Sequence, residues 1–243
     1  MADRTILITG IAGEIGAHLA SELTTDGWKV CGLDLRTPPR SAIGDVSFLE
    51  CDLSDARETE ARIETFHEQF GAFDAVINCA GLIASAPLVS FVDGKLTHHD
   101  TKLWDQVLSS CLSSAFYVTA ATVPRMVAAA RKGVIINISS VCSGGNPGQA
   151  AYSAAKAGLN GMTAALAKEL GAVGIRVAAL SPGYLDTDST RTHVAPAKLK
   201  EIRNRIPLRR LGRLEEAASA VRFILSNEYV NGKVIELDGG LVL

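Results

Sequence analysis

The sequence has no excess of charge of either sign, no paired cysteines and no long apolar run. Its 243 residues include 24 Lys and Arg against 26 Asp and Glu, so the formal net charge is -2. A nucleic-acid-binding domain normally carries a basic excess, and this class is therefore disfavoured. Hydrophobic residues make up 47% and charged residues 21% of the chain. This ratio is typical of a globular domain and excludes a disordered chain.

Membrane, secretory and metal-binding signals are also missing. No run approaches the roughly 18 apolar residues of a membrane span. The first residues lead directly into the apolar stretch 5–9 without a charged-then-apolar leader, so we expect a cytoplasmic protein. The five cysteines are scattered and form no C-x-x-C pair, which argues against a disulfide framework and a zinc site. His98 and His99 lie in a polar stretch that is interpreted as a solvated loop, and no metal ligands are assigned.

Short apolar runs alternate with helix-like segments along the whole chain. This pattern predicts an α/β fold, a doubly wound parallel sheet with crossover helices on both faces, in a single domain over residues 1–243. Seven strands are predicted at 5–9, 29–34, 46–51, 75–78, 134–138, 176–180 and 233–237. Helices are predicted at 15–26, 55–70, 103–130, 151–170 and 215–226. Pro124 predicts a kink in the third of these or its division into two segments. Residues 84–101 are predicted to be a loop, and about 184–213 a substrate lid.

A glycine-rich turn follows the first predicted strand and opens the first predicted helix. It contains Thr9-Gly10-Ile11-Ala12-Gly13-Glu14-Ile15-Gly16. Glycines allow a backbone to approach a pyrophosphate, and a helix N-terminus offers N–H groups with a partial positive charge. This context is typical of a dinucleotide site, although any tight strand-to-helix turn can be rich in glycine.

Asp34 ends the second predicted strand, at the distance beyond the turn that a dinucleotide site requires. A carboxylate here can hydrogen-bond the ribose hydroxyls of the cofactor and would repel a 2′-phosphate, which favours NAD over NADP. Arg36 lies two positions further on and offers a positive charge to a phosphate. NADP therefore stays open as the alternative cofactor.

Tyr152 and Lys156 are four positions apart in a predicted helix, which puts them on one face. An ammonium group favours the ionised form of a nearby phenol, so Lys156 would lower the pKa of Tyr152 from about 10 toward neutrality. Tyr152 would then act as general acid in carbonyl reduction or as general base in alcohol oxidation. A Y-x-x-x-K pair also arises by chance on helix surfaces, so its context matters.

That context consists of five motifs in a fixed order. They are Thr9-Gly10…Gly16, Asn78-Cys79-Ala80-Gly81, Ser140, Tyr152…Lys156 and Pro182-Gly183…Thr187. In this order they resemble the short-chain dehydrogenases/reductases over essentially the whole chain. Pro207-Leu208…Leu211-Gly212-Arg213 and Asp238-Gly239-Gly240 resemble in particular the members that are like 3-oxoacyl-carrier-protein reductase. The resemblance implies a Rossmann fold and NAD(P)-dependent ketoreductase activity.

The resemblance implies a catalytic role for three residues. Tyr152 is the proton donor or acceptor, Lys156 holds the nicotinamide ribose and lowers the pKa of Tyr152, and Ser140 hydrogen-bonds the substrate oxygen. Ser139 is the alternative to Ser140, because the family spacing to the tyrosine would select it. Ser140 is preferred because a loop tolerates a deletion better than a strand tolerates a slip in register.

The resemblance also implies the cofactor contacts. Asn78 and Gly81 support the sheet and line the adenosine ribose, Asp52 contacts the adenine amine, and Thr187 binds the carboxamide. The full set of expected cofactor-binding residues is Gly10, Gly13, Glu14, Ile15, Asp34, Asp52, Leu53, Asn78, Ala80, Gly81, Tyr152, Lys156, Pro182, Gly183 and Thr187.

Two residues depart from the family pattern. Glu14 stands where the shorter branch usually has glycine, and it is interpreted as a solvent-facing carboxylate that suits the helix dipole. The alternative is that Glu14 repels the pyrophosphate. Cys111 stands where the family has a catalytic Asn, whose amide a thiol cannot copy. Either Ser110 or Ser113 replaces that amide, or the proton relay is slower.

The sequence defines the substrate only coarsely. The predicted function is hydride transfer between a nicotinamide and a secondary alcohol or ketone, with a 3-oxoacyl thioester as one candidate. Carrier-protein-dependent relatives have basic residues at the mouth of the site. Arg131 and Lys132 are candidates for this part, whereas Val173 replaces a second basic residue. Glu14 and Cys111 motivate the alternative of a non-catalytic NAD-binding regulatory protein, and the glycine spacing motivates an epimerase or dehydratase.

Assembly is a further expectation from the resemblance. The family commonly forms tetramers by pairing two long helices, here about 103–130 and 151–170, and the C-terminal strand. The apolar tail 240–243 would be awkward if it were exposed on a monomer. The chain is therefore expected to be a homotetramer or homodimer, without nucleic-acid or membrane partners.

Overall fold

The computed structural model describes residues 4–243, apart from the side chains of residues 40, 42, 92 and 193. Its strands are β1 (Thr5–Thr9), β2 (Lys29–Asp34), β3 (Ser47–Glu50), β4 (Ala75–Asn78), β5 (Val89–Val92), β6 (Lys95–His98), β7 (Gly133–Ile138), β8 (Ile175–Pro182) and β9 (Val234–Leu237). Seven of them form a parallel sheet in the order β3-β2-β1-β4-β7-β8-β9. The predicted doubly wound α/β fold is thereby confirmed.

Helices cover both faces of this sheet. They are α1 (Glu14–Thr25), α2 (Arg40–Ile43), α3 (Ala56–Phe70), α4 (Thr101–Leu108), α5 (Ser114–Ala128), α6 (Ala150–Leu170), α7 (Asp188–His193), α8 (Pro196–Arg205) and α9 (Leu214–Ser226). The strand order reverses direction between β1 and β4. In open parallel sheets the crevice at the carboxyl ends near such a point is the usual ligand site.

Alternating side chains of the central strands supply two apolar cores. Ile6 and Ile8 of β1 pack with α1 and α9, whereas Leu7 packs with α3, α5 and α6 on the opposite face. A strand that is buried on both faces has a continuous run of apolar residues in its sequence. This burial explains why the central strands are predicted almost to the residue.

The segment predicted as a loop at 84–101 contains a hairpin, which corrects that prediction. β5 and β6 pair in antiparallel register around Asp93 and Gly94, with φ of 51° and 74°. A two-residue turn with both φ values positive matches the twist of a hairpin, and Asp-Gly is a preferred sequence for it. The hairpin exposes Leu88, Phe91 and Leu96 to solvent.

The long helical stretch is interrupted at a different place from the one predicted. A π-helical turn at Ser109–Ser113 separates α4 from α5, and Pro124 lies within α5. π-helical turns inside α-helices often occur at functional sites. The helix over Thr101–Ala128 is long and apolar enough to cross a membrane by length and composition. However, α5 packs against α3, β4 and β7, so its apolar side belongs to the core of the sheet.

Candidate active site

The glycine turn between β1 and α1 is shaped by close backbone contacts. Gly10 has a φ of 69°, and a Cβ on it would lie 2.7 Å from the Cα of Ala80. A Cβ on Gly16 would lie 2.3 Å from the carbonyl oxygen of Gly10. No other residue fits either position without a shift of the backbone, so the turn holds the start of α1 against the strand ends.

The N-terminus of α1 suits an anionic group. Gly13 is the N-cap residue and makes no side-chain cap hydrogen bond. The first N–H groups of a helix have no partner within the helix, and the helix dipole adds partial positive charge. With the glycine cradle, this terminus fits a dinucleotide pyrophosphate. Ile15, in the first turn of α1, is partly buried against the core.

Two side chains connect this turn with the neighbouring strands. The Thr9 hydroxyl accepts hydrogen bonds from the backbone N–H groups of Cys79 (3.1 Å) and Ala80 (3.2 Å). The Asp34 carboxylate accepts from the N–H of Ala12 (2.9 Å) and of Arg36 (3.0 Å). Asp34 is 9% exposed. It places a fixed negative charge beside the turn, where the sequence predicted it.

Asp52 and Leu53 follow β3 next to Asp34, since the N–H of Cys51 donates to the carbonyl of Asp34 at 2.9 Å. Leu53 is buried. One oxygen of Asp52 accepts from both the N–H and the hydroxyl of Ser54. This local turn holds the carboxylate at the carboxyl edge of the sheet.

The predicted catalytic residues come together at the ends of β7 and α6. Tyr152 and Lys156 lie on one face of α6 and are 7% and 4% exposed. The Lys156 ammonium lies 5.5 Å from the centre of the Tyr152 ring and donates to the carbonyl oxygen of Ile138 at 2.7 Å. The Ser140 hydroxyl is close enough to the Tyr152 phenol to oppose part of the rise in its pKa.

Burial sets the titration behaviour of this pair. It raises the pKa of the Tyr152 phenol, while the nearby Ser140 hydroxyl acts in the opposite direction. Burial lowers the pKa of the Lys156 ammonium. The direction for Tyr152 is opposite to the one expected from a neighbouring ammonium group, because desolvation on all sides penalises the phenolate more strongly. At neutral pH the phenol therefore keeps the proton that a carbonyl oxygen would need.

Ser139 and Ser140 have different partners. The hydroxyl of Ser139 donates to the backbone carbonyl of Lys156 at 3.3 Å. Ser140 caps the 3-10 turn Val141–Gly144 by accepting from the N–H of Cys142 at 3.1 Å. Ser140 thus faces the phenol, and Ser139 supports the backbone of α6.

The Asn78 side chain points into the helical layer. Its amide nitrogen donates to Asn137 (2.9 Å) and Thr119 (3.2 Å), and the residue is 3% exposed. Asn137 in turn donates to Thr163 of α6 at 2.8 Å. These contacts correspond to the expected support of the sheet. The ribose contact of Asn78 stays a prediction.

Gly81 separates Cys111 from Lys156. A Cβ on Gly81 would lie 2.9 Å from the Cys111 sulfur and 3.6 Å from the Lys156 nitrogen. The Cys111 thiol donates to the carbonyl of Leu82 at 3.4 Å. The Ser110 hydroxyl accepts from the N–H of Leu82 and donates to Val107. Cys111 therefore occupies the expected place beside Lys156, while Ser110 supports the loop after Gly81.

The motif after β8 joins the sheet to α7. The Gly183 N–H donates to the carbonyl of Leu237 at 2.9 Å, and a Cβ on Gly183 would lie 2.8 Å from the Cα of Asp238. Pro182 is the last residue of β8. Thr187 is 8% exposed and caps α7 by accepting from the N–H of Thr190 at 3.1 Å.

Glu14 differs from its expected solvent-facing position. Its two carboxylate oxygens accept from the N–H of Asp188 and of Ser189, both at 2.7 Å. The prediction was wrong because the partners lie 174 and 175 residues away in the sequence. No local pattern signals such a contact.

A polar cluster around Gln149 was not predicted from the sequence. The Gln149 carbonyl oxygen accepts from Asn146 (2.8 Å) and from the Cys142 thiol (3.3 Å), and its nitrogen donates to Ser85 (3.0 Å). Burial raises the pKa of the Tyr184 phenol, and the nearby Asn146 side chain opposes part of this rise. The glycine-rich composition of 143–149 was the available signal for this cluster.

Arg131 and Lys132 lie at the opposite end of the sheet, which corrects their expected place at the mouth. Both precede β7, and Arg131 pairs with Asp74 at 3.2 Å just before β4. Lys132 packs against Gly174, beside the exposed Val173. Residues that precede parallel strands lie at the amino edge, whereas Tyr152 lies near the carboxyl edge.

Known proteins are similar to this chain in sequence and in fold. Residues 10–242 match the family model described as enoyl-(acyl carrier protein) reductase. The 3-oxoacyl-(acyl-carrier-protein) reductase FabG of Thermotoga maritima is 36% identical over 252 aligned residues, with 99% of this chain and 98% of that protein covered. The FabG of Escherichia coli is 34% identical over 245 residues, with 98% and 96% covered.

A solved structure extends the likeness to three dimensions. The ligand-free aldohexose dehydrogenase of Thermoplasma acidophilum superposes with a TM-score of 0.87 at 25% identity, covering 98% of this chain and 94% of that one. The parallel sheet with helices on both faces agrees with these matches. The chain belongs to the short-chain dehydrogenases/reductases and is an NAD(P)-dependent oxidoreductase acting on carbonyl or alcohol groups.

Proposed function

We propose that this protein is an NAD-preferring ketoreductase that acts on a 3-oxoacyl thioester. The observation that carries this proposal is the buried cluster of Ser140, Tyr152 and Lys156 at the carboxyl end of β7, beside the glycine turn. The cluster combines a proton donor, a hydrogen-bond donor and a cation in one desolvated place. These three groups can protonate a carbonyl oxygen and stabilise the charge that develops on it during reduction.

The residues of the cluster have separate parts in the reaction. A bound nicotinamide supplies the hydride for reduction or accepts it for oxidation. The Tyr152 phenol gives its proton to the carbonyl oxygen as the alcohol forms, and the Ser140 hydroxyl holds that oxygen by a hydrogen bond. Lys156 holds the nicotinamide ribose and keeps positive charge beside the phenolate that remains. In alcohol oxidation Tyr152 takes the proton back.

Asp34 supports NAD as the preferred cofactor. Both of its oxygens already accept backbone N–H groups, and each keeps a lone pair for a ribose hydroxyl. A 2′-phosphate beside this fixed carboxylate would be repelled. The remaining proposed cofactor contacts are Gly10, Gly13, the backbone N–H of Glu14, Ile15, Asp52, Leu53, Asn78, Ala80, Gly81, Pro182, Gly183 and Thr187.

The charge of the proposed lid, residues 184–213, supports a substrate on a polyanionic carrier. Residues 184–213 contain eight Lys and Arg against three Asp and Glu, a net charge of +5 in a chain of net charge -2. Relatives that are 32–36% identical over nearly the whole chain are named as 3-oxoacyl-(acyl-carrier-protein) reductases. A basic segment near the site would attract an acidic carrier of the thioester.

We further propose that residues 1–243 act as one dinucleotide-binding domain in the cytoplasm. The substrate crevice then lies between the hairpin β5–β6 and the segment with α7 and α8. The N–H of Ala86 donates to the carbonyl of Gly148 at 2.7 Å, so the start of the hairpin is tied to the loop that carries Gln149.

The test is turnover with a small 3-oxoacyl thioester and with the same acyl group on a carrier protein. We expect the absorbance of NADH to fall faster than that of NADPH. Tyr152→Phe should lower kcat by about 10²- to 10⁴-fold, because the phenolic proton is lost, while thermal-shift titration still detects nucleotide binding. Added salt should raise the KM of the carrier-bound substrate more than that of the small thioester.

Tyr229→Phe is the matched control, since Tyr229 is fully exposed and remote from the cluster. It should retain wild-type turnover. If Tyr152→Phe were as active as the wild type, the proposed chemistry would be wrong. Nucleotide binding without turnover of any carbonyl substrate would instead support the regulatory alternative.

A further inference from the structure

Glu14 connects the first turn of α1 with the start of α7. Its carboxylate, in the first turn of α1, accepts from the N–H groups of Asp188 and Ser189 at the start of α7. Hydrogen bonds to an ionised acceptor are roughly twice as strong as neutral ones. A negative charge at a helix N-terminus is also favourable. The contact therefore fixes the beginning of α7 against the glycine turn.

Most of the described side chains between Asp188 and Arg205 are exposed. Ion pairs of Arg191 with Asp186 and Asp188 also restrain the start of this segment. Farther along, Ile202 and Ile206 are buried against Leu241 in a small apolar cluster. The segment is thus tied at its far end by this cluster and at its near end by Glu14.

The start of α7 matters for the proposed cofactor site, because it directly follows Thr187, a proposed cofactor contact. Thr187, the residue before Asp188, is buried and its hydroxyl engages Thr190. With Glu14 on the N–H groups of Asp188 and Ser189, these hydrogen bonds set the orientation of Thr187. The same contact directs the carboxylate of Glu14 toward α7. Its negative charge therefore lies on the side of the α1 N-terminus that faces the proposed lid.

We propose that Glu14 is a positioning residue, a latch that holds the start of α7 closed over the cofactor site and keeps its own charge away from the pyrophosphate. This inference rests on the proposed function, because the site it closes is the proposed nucleotide site. Without this contact, the start of α7 would lose two charge-assisted hydrogen bonds, and the carboxylate would be free to turn toward the α1 N-terminus.

Trypsin digestion without nucleotide tests the latch apart from activity. The segment offers cleavage sites after Arg191, Lys198 and Lys200. Mass spectrometry should find that Glu14→Ala raises the cleavage rate there by about ten-fold, which is the size expected for losing charge-assisted hydrogen bonds. Glu14→Gln keeps one acceptor oxygen and should give an intermediate rate. Glu60→Ala, an exposed carboxylate on α3, should match the wild type.

Nucleotide binding and steady-state kinetics provide a second test of the role proposed for Glu14. Fluorescence titration should show that Glu14→Ala binds NADH about ten-fold more weakly, with partial rescue in Glu14→Gln. The KM for the nucleotide should rise while kcat changes less than three-fold, since Tyr152 and Ser140 are untouched. Thermal melting of each variant identifies any general loss of fold.

Two outcomes would overturn the latch. One is wild-type cleavage of the segment in Glu14→Ala, and the other is tighter NADH binding in that variant, which would mean that Glu14 simply repels the pyrophosphate. A wild-type protein that turns over no carbonyl substrate would contradict the proposed function, while the cleavage comparison would still decide whether Glu14 holds α7.

Discussion

Ser139 and Ser140 show how two identical neighbours take different tasks. Successive residues at a strand end point to opposite sides. One hydroxyl therefore reaches the Lys156 backbone in α6, and the other reaches the Tyr152 phenol. In the sequence, the preference for Ser140 over Ser139 as the substrate-binding serine depended on where a one-residue deletion is tolerated. In the structure, the two hydroxyls have different partners.

Alanine variants of the two serines should separate these tasks. We expect Ser140→Ala to lower kcat by about 10²-fold or more, because one hydrogen bond to the substrate oxygen is lost at the reacting centre. Ser139→Ala should keep most of the activity and lower the free energy of unfolding by about 1 kcal/mol, as is usual for one buried hydrogen bond. Steady-state kinetics and urea unfolding of both variants measure this. Equal loss of kcat in both would contradict the assignment.

The sequence predicts those site residues whose chemistry depends on local spacing. Tyr152 and Lys156 share a helix face at i and i+4, and Gly10 and Gly16 belong to one turn. Glu14 could not be placed in this way, because its partners come from a segment that approaches only after the sheet is complete. The pKa direction of Tyr152 was missed for a related reason, since burial is a property of the folded cluster.

At the scale of elements, hydrophobic periodicity predicted the central strands and the helices well. It failed where polar, exposed segments fold by turn geometry. The hairpin β5–β6 depends on Asp93 and Gly94 and has an exposed apolar side. The π-helical turn at Ser109–Ser113 has no sequence period of its own, and its Cys111 lies beside Gly81.

The start of α9 makes an element-scale prediction about stability. Glu216 accepts from Arg210 at 2.6 and 2.8 Å and from the backbone N–H of Arg213 at 2.8 Å. The Arg210 hydrogen bonds lower the pKa of Glu216 to about 2. A carboxyl group with a depressed pKa in the folded state stabilises the fold above its unfolded pKa of about 4.3 and loses that effect as the pH falls toward 2.

Glu216→Gln should therefore lower the free energy of unfolding by about 0.5–1 kcal/mol at pH 7, a modest amount because the pair is partly exposed and screened. The difference from the wild type should shrink as the pH falls below about 4.3. Urea unfolding at pH 7, 5 and 3.5 measures it. Glu215→Gln, the neighbouring carboxylate in the first turn of α9, is the control. Equal effects of both substitutions at pH 7 would show that Glu216 has no special role.

At the scale of the molecule, charge and apolar surface are unevenly distributed. The basic segment 184–213 lies beside the crevice, so the rest of the chain carries a net charge of -7. Leu241 of the apolar tail is buried within the chain, whereas Val242 is 84% exposed. The tail is therefore a weaker argument for oligomerisation than the sequence predicted. The exposed faces of the long helices α5 and α6 are the stronger argument.

The exposed sides of the two long helices favour association of chains. Phe116, Ala120 and Val127 follow one face of α5 at helical spacing and are exposed. The exposed face of α6 carries the small residues Ala154, Ala157, Gly161 and Ala165. An apolar strip beside a face of small side chains allows helices of two chains to pack closely. We expect a homotetramer or homodimer built on these helices.

Sedimentation at micromolar concentration should give a mass near four or two times the 25.6 kDa of one chain. Phe116→Glu should shift the protein to the monomer, because a charge would be buried without a partner when two copies of α5 meet. Phe91→Glu makes the same change on the exposed hairpin and should leave the mass unaltered. A wild-type monomer, or a Phe116→Glu variant of unchanged mass, would contradict assembly through α5, since an apolar strip of this kind would then tolerate a charge at its centre.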